Sequence, residues 1–337
     1  MNDSMARCQG LGAGSSIKRW RAPRSPLRAV HEIPFAKMVG TGNDFVIVDA
    51  RRGQWAALKR AWSRVAAAMC DRRYGIGADG LLLLGPSRRA ETFMRIFNAD
   101  GSEAQMCGNG ARCAALYVHR RRGRPASGRS AASSLGTRQS VTLETKAGLC
   151  SGRISGTRVE MRMADPTELD LARSVALGRR RVTVGVINTG VPHAVVPVSG
   201  LDQIDVDGLG RRLRFHEAFG SRGTNVDFME EDPALPSRLR VRTYERGVEG
   251  ETLACGTGAA ASAIVHVLRQ RAGTRTNGHA GPSEHAIEVE TASGEALIVR
   301  FNLLPAGRGA RVTNVVLAGA VQWICQGIYS WSRKDCR

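Results

Sequence analysis

The sequence predicts a mixed α/β fold of the α+β kind, built as two similar halves. Three observations predict it. Strand-like runs alternate with few, well-separated helical patterns, which suits α+β better than a doubly wound sheet. A nine-residue pattern occurs twice, each time just ahead of a helix. The length, 337 residues, is enough to bury two cores.

The elements follow in order. Residues 1–32 are rich in Arg, Ser, Gly and Ala and lack an apolar signal core. A disordered basic extension is expected there, with an organellar transit peptide as the alternative. Folded sequence starts with a short strand at 33–38, the turn Val39-Gly-Thr-Gly-Asn-Asp44 and a strand at 45–49. Trp55, Leu58, Trp62, Val65 and Met69 share one helical face, ended by Tyr74-Gly-Ile-Gly-Ala-Asp-Gly80. Strands at 81–84 and 92–97 lead to a glycine-rich turn and a helix after Cys107. Residues 119–140 carry six Arg and no acid, and read as a flexible solvated insert. A strand at 141–146 follows.

The second half predicts strands at 158–163, 181–188 and 193–198, then a polar helix at 207–217. Strands at 225–230 and 239–245 precede a helix from Gly256 to about Gln270 and a Gly/Thr-rich loop at 272–283. Four closing strands are expected at 286–290, 296–301, 312–317 and 320–328, with a tail at 330–337.

The net charge of +19 raises nucleic-acid binding, so its location matters. Residues 1–33 contribute +4, residues 119–140 contribute +6 and residues 330–337 contribute +2. The excess thus sits mainly in the tails and one insert, with no nucleic-acid motif beside it. No specific nucleic-acid partner is expected, and no apolar run approaches the roughly 18 residues of a membrane span. Eight scattered cysteines without CxxC pairs point to free thiols in a reducing cytoplasm and to no metal site.

The repeated pattern is Glu-x-x-x-Cys-Gly-x-Gly-Ala, at 103–111 and again at 251–259. A cysteine at a helix start meets the positive end of the helix dipole, which favours thiolate. Two such starts facing across a cleft would put a thiolate and a thiol on opposite sides of one carbon. That pair can remove a proton from one face and deliver one to the other. The helix-end N–H groups would hold a carboxylate and its developing enolate charge. No pyridoxal-lysine motif is evident, so cofactor-free chemistry is expected. Cys70, Cys113, Cys150 and Cys325 are expected as small core residues.

At these residues the chain resembles the diaminopimelate epimerase family. Asn98-x-Asp-Gly-Ser-x-x-x-x-Cys-Gly-Asn-Gly-x-Arg112 matches that family's signature in full. GTGNDF (40–45), GIGADG (75–80), GVPHAVV (190–196), GTNVDF (223–228) and YERGVEGETLACGTGA (244–259) support it. The resemblance implies two pseudo-symmetric domains, each a mixed curled sheet around a central helix. The expected divisions are 33–150, completed by 320–329, and 151–319. It implies interconversion of L,L- and meso-2,6-diaminopimelate, for lysine and peptidoglycan, without cofactor or metal, by a homodimer. By carry-over, Cys107 deprotonates the L,L isomer and Cys255 the meso isomer. Gly108, Asn109, Gly256 and Thr257 match the amides that hold the reacting carboxylate. Asn43, Asn98, Asn225, Glu245 and Arg246 match substrate-binding positions, and His193 matches a supporting one. Many family members carry Asn where this chain has Val191. The alternative is a proline or hydroxyproline racemase-like enzyme, but those usually carry His where Asn109 stands. A non-catalytic binding protein is the alternative from another class.

Overall fold

The computed structural model describes residues 30–53, 55, 58–122, 139–273, 281–306 and 309–332. Most of the expected extension, insert, 272–283 loop and tail lies outside the described residues.

The first half contains β1 (His31–Gly40), β2 (Asn43–Asp49), α1 (Trp62–Cys70), β3 (Gly80–Gly85) and β4 (Thr92–Asn98). It continues through β5 (Glu103–Ala104), α2 (Gly108–Arg121), β6 (Ser140–Thr145), β7 (Gly148–Ser155) and β8 (Arg158–Arg162). The second half contains β9 (Thr167–Leu177), β10 (Arg180–Asn188), β11 (Pro192–Pro197), α3 (Val206–Arg214), β12 (Asn225–Glu231) and β13 (Arg238–Glu245). It ends with β14 (Gly250–Thr252), α4 (Gly256–Gly273), β15 (Ser283–Thr291), β16 (Ala296–Ala306) and β17 (Gly309–Trp331).

The halves share a topology. β2 and β3 are parallel across α1, and β4 and β6 are parallel across α2. β11 and β12 are parallel across α3, and β13 and β15 across α4. β17 serves both halves. Its first part pairs with β16, Val316–Ala320 pair with β8, and Val321–Trp331 pair with β1. The first half is thereby closed into a ring around α2.

Strand burial follows from this enclosure. Phe45, Ile47, Leu82 and Leu84 pack with α2, while Val46, Val48, Leu81 and Leu83 pack with α1. Strands covered on both faces read as continuous apolar runs, as Leu81–Leu84 does. Each such fully buried side chain contributes about 1.5–3 kcal/mol. In the second half Val195 and Met229 face α4, and Ala194, Val196, Val226 and Phe228 face α3. α2 is buried all round from Asn109 to Val118, as befits a helix inside a sheet.

Several expectations are corrected. The helix expected from Trp55 is α-helical only over Trp62–Cys70. The bonds Leu58 N to Trp55 O and Ala61 N to Leu58 O join residues three apart, so the lead-in winds as tight turns. The insert begins later than 119, because α2 runs through Arg121. The last two expected strands are one, since Gly319 stays in register opposite Val159. Cys150 is half-buried and Cys325 exposed, against the core role expected of them. A bulge between Lys37 and Met38 breaks the alternation and leaves both Ile324 and Cys325 outside. The expected division after residue 150 falls within β7, whose Ile154 packs with Val159 and Met161 in the first-half core.

Candidate active site

The repeat has a mechanical explanation. In each half an Arg on one strand forks onto the Glu that opens the motif. Arg95 donates from Nε and Nη2 to Glu103 at 2.7 and 3.0 Å. Arg242 does the same to Glu251 at 2.7 and 2.7 Å. These bidentate pairs fix the hairpins β4–β5 and β13–β14, each of which ends at a cysteine. The preceding Asp-Gly-Ser turn is equally constrained. Asp100 Oδ1 accepts from Ser102 N at 2.8 Å, and Gly101 sits at φ +83 with no room for a Cβ beside Ser63 O.

The helix starts match. Cys107 is the extended N-cap of α2, and its Sγ accepts from Gly110 N at 3.5 Å. Cys107 O accepts from Ala111 N and Cys255 O from Ala259 N, both at 2.9 Å. Cys255 Sγ lies 3.3 Å from Thr257 Oγ1.

The two starts converge. Asn109 Nδ2 donates across to Ala254 O at 3.1 Å, the residue just before Cys255. The same nitrogen donates to Asn43 Oδ1 at 2.5 Å. A Cβ on Gly256 would stand 2.8 Å from Leu317 Cδ2, and one on Gly108 would stand 3.9 Å from the same atom. β17 thus passes beneath both helix starts. Gly42, at φ +79, meets Ser293 and Leu253 from the other half.

The remaining expected residues separate into groups. Asn43 Nδ2 donates to Asp79 Oδ2 at 3.0 Å, so Asn43 is held from both ends. Asn225 is buried, donating to Pro192 O at 2.9 Å and accepting from Arg246 N at 2.8 Å. It ties the Gly-Val-Pro-His loop to the Arg246 turn. Thr257 O accepts from Thr189 Oγ1 at 2.9 Å, fastening that loop to α4. Asn98 serves its own turn, donating to Ser102 Oγ at 3.0 Å, in an exposed position. His193 is fully buried, with Nδ1 2.7 Å from Asp227 Oδ2 and Nε2 without a hydrogen-bond partner among the described residues.

Electrostatics distinguish the two cysteines. Burial pushes the Cys107 thiol up, opposed by Gly110 and Asn109 N–H and by Arg112, with Glu245 adding to the rise. Burial pushes Cys255 well above its ordinary value, and Glu245 and Asp227 push it further, against Thr257 and Gly258. Glu245 therefore acts on both sulfurs. Its own carboxyl is raised by burial, against Thr252 and His193. Both thiols are therefore raised, where a cysteine at a helix start suggested a lowered one. Desolvation outweighs the helix-end N–H groups.

Two residues had no assigned role in the sequence reading. Asp227 stands between His193 and Thr243 Oγ1, which donates to it at 2.8 Å. It fills the space a Cβ on Gly258 would need, 2.2 Å from Oδ1. The signal was a carboxylate at an inward position of an apolar strand. Arg112 is the other, a charge inside the apolar stretch of α2. By strand register, the first-half counterparts of His193 and Asp227 are Phe45 and Leu82, which face Gly110 as Asp227 faces Gly258.

The family model described as diaminopimelate epimerase matches residues 35–167 and 185–301. The diaminopimelate epimerase of Aquifex aeolicus is 36% identical over 301 residues, 87% of this chain and 96% of that protein. That of Desulforudis audaxviator is 41% identical over 259 residues, 72% of this chain and 86% of that protein. Among solved structures, a Bacillus anthracis phenazine biosynthesis protein of the PhzF family superposes with TM-score 0.60 at 17% identity, covering 89% of this chain and 99% of its own. A hydroxyproline epimerase from Agrobacterium vitis, solved with trans-4-hydroxy-L-proline, gives TM-score 0.59 at 17% identity, covering 91% and 94%. These two likenesses establish the shared fold.

Proposed function

This chain belongs to the diaminopimelate epimerase family, and from that membership we infer that it interconverts L,L- and meso-2,6-diaminopimelate by a two-thiol mechanism. The observation that carries the reading is the convergence of two cysteine-bearing helix starts, bridged by Asn109. The substrate α-carboxylate binds the N–H groups of Gly108, Asn109, Gly256 and Thr257. Cys107 thiolate takes the α-proton from one face, and the electron pair moves into the carboxylate as an enediolate. Cys255 thiol delivers its proton to the opposite face, leaving Cys107 as thiol and Cys255 as thiolate. The reverse reaction exchanges the roles. Glu245, whose charge acts on both sulfurs, and His193, held by Asp227, are the polar neighbours of that exchange. Arg246, whose guanidinium is repelled by Arg214 and Arg222, is the half-buried cation suited to the distal carboxylate.

Incubation with L,L-diaminopimelate in D2O tests this. The meso isomer should form with deuterium at one α-carbon, and Cys107→Ala or Cys255→Ala should abolish it. Exchange with proline and none with diaminopimelate would move the assignment to the racemases. The resemblance also supports a cytoplasmic homodimer, in line with free thiols throughout the described cysteines. Sedimentation at two concentrations would check the dimer. No helix among the described residues is long and apolar enough to cross a membrane.

A further inference from the structure

Arg112 is a charge buried in the interior with part of its guanidinium left without a hydrogen-bond partner among the described residues. Its side chain is fully buried. Nη2 donates to Thr41 Oγ1 at 2.7 Å and to Asn109 Oδ1 at 2.8 Å. Nε and Nη1 are buried without a hydrogen-bond partner among the described residues. Both bonds it makes go to neutral oxygens. Glu295 acts on it only through space, and no carboxylate among the described residues bonds to it; a buried guanidinium so placed is strongly unfavourable unless an anion completes it.

The space around it is built for it. Gly319 of β17 admits the guanidinium, because a Cβ there would lie 3.0 Å from Nε and 3.2 Å from Cζ. Nη1 lies 4.0 Å from the Cβ position of Gly256, at the first turn of α4. Arg112 therefore projects from α2 to the start of the other helix. Thr41 accepts its bond from a left-handed position, φ 53, that a β-branched residue rarely adopts. The second half has no copy: five residues after Cys255 stands Ala260, where five after Cys107 stands Arg112.

We propose that Arg112 is a positioning residue that supplies the fixed positive charge of the anion cradle at the paired helix starts. It turns the Asn109 amide so that both its N–H groups bridge Asn43 and Ala254. Its unpaired N–H face makes the first turns of α2 and α4 favourable to an anion, the Cys107 thiolate and the substrate carboxylate. The substrate half of this statement rests on the epimerase reading; the thiolate half does not. The groups acting on Cys107 besides Arg112 are Glu245 from β13 and the N–H groups of Asn109 and Gly110. Those acting on Arg112 are Cys107, Cys113 and Glu295.

Alkylation of Cys107 by iodoacetamide, followed across pH by peptide mass spectrometry, tests the thiolate half without diaminopimelate. Arg112→Met should slow alkylation of Cys107 near neutral pH about tenfold and move its midpoint upward. Arg112→Lys keeps the charge, so its midpoint should stay closer to the parent, while kcat falls because Asn109 loses its anchor. For diaminopimelate, Arg112→Met should raise KM as well as lower kcat. Gly319→Ala, whose methyl would crowd Leu297 Cδ2 at 2.7 Å and the guanidinium Nε at 3.0 Å without removing the charge, should move alkylation in the same direction as Arg112→Met. Folded Arg112→Met and Gly319→Ala proteins with the parent's alkylation profile would overturn the proposal. Should Arg112→Met not fold, an unchanged profile in Gly319→Ala overturns it alone. If diaminopimelate is not the substrate, the alkylation arm still stands or falls by itself.

Discussion

At the scale of single residues, Glu103 and Glu251 show why the motif opens four places before each cysteine. The Arg95 fork and Lys146 hold the Glu103 carboxyl down at about 2, against burial. Its folded value lies below the unfolded one, so its stabilisation is complete above the ordinary carboxylate range. It is lost as pH falls through about 2. Glu103→Gln should therefore cost on the order of 2 kcal/mol at neutral pH, read by urea unfolding. The difference from the parent should vanish in strong acid; a constant difference across pH would assign the effect to packing. The cysteines and the helix-end glycines were legible as a site because their spacing repeats, and Asn109 because it stands in the matched signature. Asp227 and Arg112 were not, because each occurs once and takes its meaning from a partner far along the chain. Asp227 meets His193 at a separation of 34 residues, and Arg112 meets Thr41 at 71. The Asn98 amide secures a local turn from an exposed position, the one the signature suggests for a substrate contact.

At the scale of elements, the repeat is exact in path and unequal in filling. Gly110 and Gly258 occupy the same place in α2 and α4. A methyl on Gly110 would approach Leu82 Cδ2 at 3.0 Å, the free end of an apolar side chain. A methyl on Gly258 would approach Asp227 Oδ1 at 2.2 Å, an atom held by Thr243 on a carboxylate bonded to His193. Gly110→Ala should then cost under about 1 kcal/mol, helped by better helix propensity. Gly258→Ala should cost more than about 2 kcal/mol and displace Cys255. Equal midpoints in urea for the two variants would refute the difference. Long apolar runs such as Phe45–Val48 and Leu81–Leu84 were readable as strands because both faces are covered. β5 and β14 were not, since two or three residues carry no periodicity. β9 was missed because its burial is weak and irregular, with Glu168 at φ 55 interrupting the extended backbone.

At the scale of the whole molecule, β17 is the part that makes two halves into one site. It completes the ladder of each half and places Leu317 under both helix starts. The sequence suggested two separate strands here, at 312–317 and 320–328; Gly319 between them stays in the ladder and admits Arg112. The two-thiol reading proposed above requires the two sulfurs to border one cleft. Mild oxidation with diamide should then join Cys107 to Cys255: the Cys107 thiolate attacks the oxidant and Cys255 displaces the adduct. One disulfide forms, and the reagent leaves as its hydrazine. Activity should fall with one cross-linked peptide pair in the mass spectrum and return with dithiothreitol. Cys107→Ala and Cys255→Ala proteins should give no such pair. Cys325, though exposed, lies on the outer face of β17 and should not substitute for either. Inactivation that dithiothreitol does not reverse, with no cross-linked pair found, would mean that the sulfurs do not share a cleft. The two-thiol reading would fall with it.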